Sequence, residues 1–269
     1  VEADGKRISL AGDWKYRIGL SLTGFPPAPI SPVQSSSYPT VLFNAMVKPW
    51  TAFPIKGVIW YQGEANVGRS EQYGDLFPAL ITDWRRQWRS DFPFYFVQLA
   101  NFMESKKIQP DSEWAALREA QTKALKLDQV GMVVTIDIGL ADDIHPKNKQ
   151  EVGRRLALVA LAGSYGKNVS SSAPVFQNYI IKGNKMELDF GQKQDGFQIK
   201  GTTLKGFTIA GPDRVFYPAE AMVHDGKIIL SSTEVPAPLA ARYGWADNPD
   251  CNLYGENGLP VAPFRTDCW

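Results

Sequence analysis

The sequence predicts a layered α/β domain followed by a small antiparallel β domain. Two observations carry this. Between Gly57 and Ala162 short continuous apolar runs alternate with amphipathic stretches of helical period, the pattern of parallel strands joined by helical crossovers. Past Ser170 the period shortens, and short strands are separated by turn signals.

"GVIWY" at 57–61 reads as a strand buried on both faces. From Glu71 to Trp88, Tyr73, Leu76, Phe77, Leu80, Ile81, Trp84 and Trp88 form one apolar stripe at the helical period, in which Pro78 predicts a kink or a broken first turn. "FPFYFVQLA" is the next buried strand, and Trp114, Leu117, Gln121 and Leu125 mark a second helix. "GMVVTIDI" is a third strand. Asn148, with Glu151 three residues on, is a capping box opening a helix whose buried face is Val152, Leu156, Val159 and Ala160. "KMELDF", "GFTIA", "KIILSS" and "LAARYGW" are the later strands, with Gly183-Asn184 and Asp225-Gly226 as hairpin turns.

Ahead of this region, residues 1 to about 20 alternate as short strands, and "TGFPPAPISPVQSSSYP" has the composition of a linker. The chain opens on strands without an initiator methionine or signal peptide, and is read as starting inside a larger protein. Hydrophobic residues make up 44% and charged residues 21%, with a net charge of +1, an ordinary globular balance. Basic residues are scattered and no apolar run reaches about 18 residues, so nothing points to nucleic acid or a membrane. Cys251 and Cys268 lack Cys-x-x-Cys spacing; a disulfide and two buried thiols are both open.

In an open α/β sheet, ligands bind in the loops after the carboxyl ends of strands. Two such loops are rich in polar groups. "GLADDIHPKNKQ" at 139–150 holds His145, one of only two histidines. Pro146 pushes His145 toward extended backbone, and its ring suits a general base. Asp142 or Asp143 would fix the tautomer and stabilise the imidazolium. His224, in a hairpin turn, reads as a solvated turn residue. The second loop, Gln62-Gly63-Glu64-Ala65-Asn66, follows "GVIWY". Its amides beside a glycine are suited to an oxyanion hole, and Glu64, an acceptor when ionised, to holding the loop. A metal site from Asp137, Asp142, Asp143 and His145 is disfavoured, because no second histidine lies near.

"KGVIWYQGEANVGRSEQYGDLFPALITDWRRQW", "FPFYFVQLANF", "WAALREAQTKAL" and "VTIDIGLADDIHPKNKQEVGRRLAL" together resemble the sialate O-acetylesterase group of SGNH hydrolases. "ARYGWADNPDCNLYGENGLPVAPFRTD" is similar to that group's closing segment. The resemblance implies a three-layer, flavodoxin-like parallel sheet of SGNH type, incomplete in this chain. It divides the chain into the end of an inserted β domain (1–22), a linker (23–39), the C-terminal portion of the hydrolase domain (40–170), and a β domain with the closing segment (171–269). It places the catalytic Asp-x-x-His on Asp142 and His145, and the Trp-Tyr-Gln-Gly-Glu block on Trp60 to Glu64. Where other SGNH enzymes carry an oxyanion-hole Asn two residues after the glycine stands Ala65, so Gln62 is the first candidate donor and Asn66 the second.

The group's nucleophile lies in a Gly-Gln-Ser-Asn segment that this sequence does not contain. Ser70 opens a helix and Ser35, Ser36 and Ser37 sit in the linker, so none follows a strand in a tight glycine turn. The implied protein is a carbohydrate O-acetylesterase, periplasmic or secreted, needing no cofactor. Its serine would come from a companion N-terminal segment. The alternative is a non-catalytic carbohydrate-binding protein.

Overall fold

In the computed structural model, residues 2–3, 6–7, 38–191 and 196–269 are described. Val1–Pro49 forms one unit, with an antiparallel pair β1 (Glu2–Ala3) and β2 (Lys6–Arg7) and a helical turn at Phe43–Val47. The strand pattern expected around Ile8 and Leu10, and nearly all of the expected linker, lie outside the described residues.

Trp50–Trp269 is the second compact unit. Its α/β part is a parallel sheet in the order β3 (Val58–Trp60), β4 (Phe94–Val97), β5 (Val130–Val133), with Val58 opposite Phe94 and Phe94 opposite Val130. The central strand shows why there are three layers. Phe94 and Phe96 point to one face and meet Tyr73, Phe77 and Ile81 of α1 (Ser70–Trp88) and Trp114 and Leu117 of α2 (Glu113–Thr122). Tyr95 and Val97 point to the other and meet Val152, Leu156 and Val159 of α3 (Lys149–Gly163). A period of two turns one four-residue run into the floor of two cores. Each fully buried phenylalanine contributes about 2–3 kcal/mol by burial alone.

The elements follow the sequence signals with four instructive departures. Helix α1 runs through Pro78 as one helix. After α2 the chain tightens into a 3-10 turn, Lys123–Lys126, which advances the phase. The expected Leu125 is therefore 42% exposed and Ala124 takes the buried place. β3 is not buried on both faces: it is an edge strand paired only with β4 among the described residues, and Ile59 is 68% exposed. At α3, Asn148 Oδ1 accepts the Glu151 N–H at 3.2 Å, but the Glu151 carboxylate turns to Arg154 and Arg155, so only half of the capping box forms.

The antiparallel part comprises β6 (Asn178–Lys182), β7 (Lys185–Asp189), β8 (Phe197–Ile199), β9 (Phe207–Ala210), β10 (Phe216–Pro218), β11 (Glu220–His224), β12 (Lys227–Ser231), β13 (Ala240–Tyr243), β14 (Leu253–Gly255) and β15 (Phe264–Arg265). Two four-stranded sheets, β11-β12-β7-β6 and β10-β9-β13-β15, enclose a core of Met186, Leu188, Ile209, Ile228 and Leu230. Both anticipated hairpin turns form, with Asp225 and Gly226 each at positive φ. Both cysteines are free thiols, and burial pushes Cys251 up to about 12. No helix among the described residues is long and apolar enough to cross a membrane.

Candidate active site at the carboxyl edge of the sheet

The carboxyl ends of β3, β4 and β5 deliver three loops to one edge. Those after β3 and β5 are separated by the width of β4, about 10 Å at the strand ends. The β3 loop turns at Gly63 into a short helical turn, Glu64–Asn66. A Cβ on Gly63 would stand 3.1 Å from Gln121 Nε2 and 3.2 Å from Leu99 Cδ2, so the loop lies directly against α2 and the β4 loop.

The Gln62 amide is held at both ends. Its Nε2 donates to Asn66 Oδ1 at 2.7 Å, and Tyr73 donates from 3.2 Å toward both its carbonyl and its Oε1. The buried Gln121 accepts from the Leu99 N–H at 2.9 Å and donates to the carbonyls of Gln62 and Val97. One Nε2 proton of Gln62 and the Asn66 amide nitrogen have no acceptor among the described residues. The Glu64 carboxylate likewise makes no side-chain hydrogen bond or ion pair among them. Burial, helped by the Glu64 charge, raises Tyr61 to about 12.

The β4 loop is fixed from below and above. Arg118, fully buried on α2, donates to the carbonyls of Leu99, Ala100, Ala246 and Asp247, joining the strand end to the closing segment. Burial lowers it to about 9, so it remains charged at neutral pH. Asn101 Oδ1 accepts the Gly139 N–H at 2.7 Å, and a Cβ on Gly139 would fall 1.9 Å from the Asn101 carbonyl oxygen. Only glycine lets the β4 and β5 loops approach this closely.

After β5 the chain passes Asp137, which pairs with Arg155 through both oxygens at 2.7 and 2.9 Å and accepts from Tyr254 OH. Among the described residues no group of three or more His, Cys, Asp or Glu side chains could hold a metal ion. His145 is 88% exposed at its side chain. Asp143 Oδ1 accepts the His145 backbone N–H at 2.8 Å, an Asx turn, and lies 3.8 Å from ring Nδ1. Asp142 is exposed and makes no hydrogen bond or ion pair among the described residues. Just beyond, Lys149 Nζ sits 4.8 Å from the Tyr61 ring centroid, linking the first turn of α3 to the residue before Gln62. Cation–π contact of this kind holds the two loops' bases together.

His145 and Gln62 thus share one edge of the sheet. Gln121, Tyr73 and Arg118, which organise that edge, were not singled out for it from sequence. The only local hint was a polar Gln121 on the apolar stripe of α2.

Residues 28–162 match the family model described as carbohydrate esterase, sialic acid-specific acetylesterase. The human sialate O-acetylesterase is 31% identical over 284 residues, covering 93% of this chain and 54% of the relative. The mouse protein of the same name is 32% identical over 255 residues, covering 84% and 47%. A solved structure of a carbohydrate acetylesterase from Xanthomonas citri is 46% identical with a TM-score of 0.82, covering 86% of this chain and 55% of that one. The chain spans about half the length of the curated relatives it matches.

Proposed function

The chain belongs to the carbohydrate esterase family of sialic acid-specific acetylesterases, and from that premise we propose that it is the base-bearing part of an enzyme removing acetyl groups from sugar hydroxyls. The observation that carries this reading is the Gln62 amide, pinned at the carboxyl edge with one N–H unused, on the same edge as the His145 loop.

In the proposed reaction a serine hydroxyl attacks the acetyl carbonyl while the free imidazole nitrogen of His145 takes its proton. The carbonyl π electrons move to oxygen, where the Gln62 N–H and backbone amides receive the charge. Collapse expels the sugar oxygen, which His145 reprotonates. Water, deprotonated by the same histidine, then cleaves the acyl-enzyme to acetate. Asp142, at the family's Asp-x-x-His position, steadies the imidazolium. Asp143 stands nearer the ring, 3.8 Å from Nδ1, but that is too long for a hydrogen bond and one of its oxygens already binds the His145 backbone N–H, so the assignment of Asp142 rests on the family's spacing.

The serine is supplied by a companion N-terminal segment. Support comes from the missing Gly-Gln-Ser-Asn sequence and, among the described residues, from the unpaired edge of β3 and the exposed Ile59 on its face. Substrates of this kind are met outside the cytoplasm, which favours a periplasmic or secreted enzyme. Acetate release from acetylated sialic acid, xylan and xyloglucan, measured with the two segments co-expressed, tests the activity and ranks the substrates. No release from any of them, with both segments folded together, would leave only carbohydrate binding.

A further inference from the structure

We infer that Tyr73 is a positioning residue for the ester hydrolysis, deciding which end of the Gln62 amide faces the substrate. The inference rests on the esterase reading above and extends it to a residue on α1, outside the two site loops.

An amide side chain offers a donor at one end and an acceptor at the other, and the two are nearly the same shape. An oxyanion is stabilised by the donor and repelled by the acceptor, so a flipped Gln62 would oppose the reaction it should assist. Something must therefore choose the rotamer. Asn66 cannot do so alone, because it is itself an amide: if both flipped, the contact between them would survive with donor and acceptor exchanged.

Tyr73 breaks that symmetry. Tyr73 is a buried residue whose hydroxyl lies 3.2 Å from both Gln62 oxygens, the carbonyl and Oε1. The carbonyl has a second donor in Gln121 Nε2, at 3.3 Å, whereas among the described residues Oε1 has Tyr73 alone, so the phenol proton is needed most at Oε1. Burial raises the Tyr73 pKa, against which the side chains of Trp60 and Gln121 act, so the phenol keeps its proton at neutral pH. The Trp60 indole N–H, a donor only, is buried and makes no hydrogen bond of its own among the described residues. A donor-rich surrounding of this kind turns the phenol proton away from Trp60 and Gln121 and toward Gln62. With Oε1 held inward, Nε2 faces outward, gives one proton to Asn66 Oδ1 at 2.7 Å, and has the second free.

The test is a double-mutant cycle in the assembled enzyme, with 4-nitrophenyl acetate as the probe. Tyr73→Phe should lower kcat about five- to tenfold at unchanged KM, the population change that one neutral hydrogen bond governs. In a Gln62→Ala background the same substitution should do nothing further, because Tyr73 acts through that amide. Losses that multiply in the double variant, a change confined to KM, or a neutral Tyr73→Phe would each overturn the inference while leaving the esterase reading intact. An unsubstituted enzyme that releases no acetate would overturn both. If Tyr73→Phe fails to fold, Gln121→Met removes the donor to the Gln62 carbonyl and lets Tyr73 divide its proton. The same cycle then applies, and multiplicative losses again count against the inference.

Discussion

Asp143, and not its neighbour Asp142, touches His145: one carboxylate oxygen binds the His145 backbone N–H at 2.8 Å and stands 3.8 Å from the ring. Asp143 thus shapes the loop, and the proposed service of the ring by Asp142 can be tested separately. Asp142→Asn should lower kcat by about 10⁴, as loss of the orienting carboxylate does in serine hydrolases. Asp143→Asn should act through the turn, with a fall of about tenfold or less and a lower melting temperature. Steady-state kinetics of the two variants decide it, and the reverse order would move the role to Asp143.

Gln62→Ala should reduce kcat by roughly 10²–10³ with KM little changed, the signature of a group used only in the transition state. Asn66→Ala should cost less, since it removes an acceptor that braces Gln62 and not the donor. If Asn66→Ala gives the larger loss, the amide facing the oxyanion is Asn66.

Among the described residues β3 is paired on one side alone, and this predicts behaviour in solution. Expressed alone, residues 1–269 should aggregate or fold loosely, and co-expression with a segment that pairs with β3 should restore a monodisperse, active complex. Ile59→Lys should improve solubility of the single chain yet block that restoration, because the charge sits where the partner packs. Size-exclusion chromatography separates the outcomes. A well-folded, active monomer from the single chain would refute the companion-segment reading.

Glu151 links acid stability to the first turns of α3. Hydrogen bonds from Arg154 and Arg155 outweigh desolvation and bring its pKa down to about 2 from a reference of 4.5. A lowered carboxylate pKa contributes stability that is complete above the unfolded value and fades as pH falls toward the folded one. Glu151→Gln should therefore be less stable at pH 7, and the gap should close between about pH 4.5 and pH 2. Urea unfolding midpoints across that range give the comparison; a gap independent of pH would assign the effect to packing.

What could be read along the chain was what repeats along the chain. The stripe of α1, the Asn148 cap of α3, and the turns at Gly183-Asn184 and Asp225-Gly226 depend on residues within a few positions of one another, and each stands in the structure where the sequence puts it, except that Leu76 of the stripe is 54% exposed. The polar loops after β3 and β5 were legible for the same reason, as was the likeness to an esterase family. Where α2 tightens into a 3-10 turn, the helical period misplaced Leu125, and an apolar run alone could not tell an edge strand from a buried one at Ile59. Only the tertiary structure decided how the site is held. Gln121 reaches Gln62 across 59 positions of sequence, Tyr73 across 11, and Arg118 reaches Ala246 across 128. Such bonds leave no periodic trace, because each is made by one side chain brought to one backbone group when the sheet and helices pack.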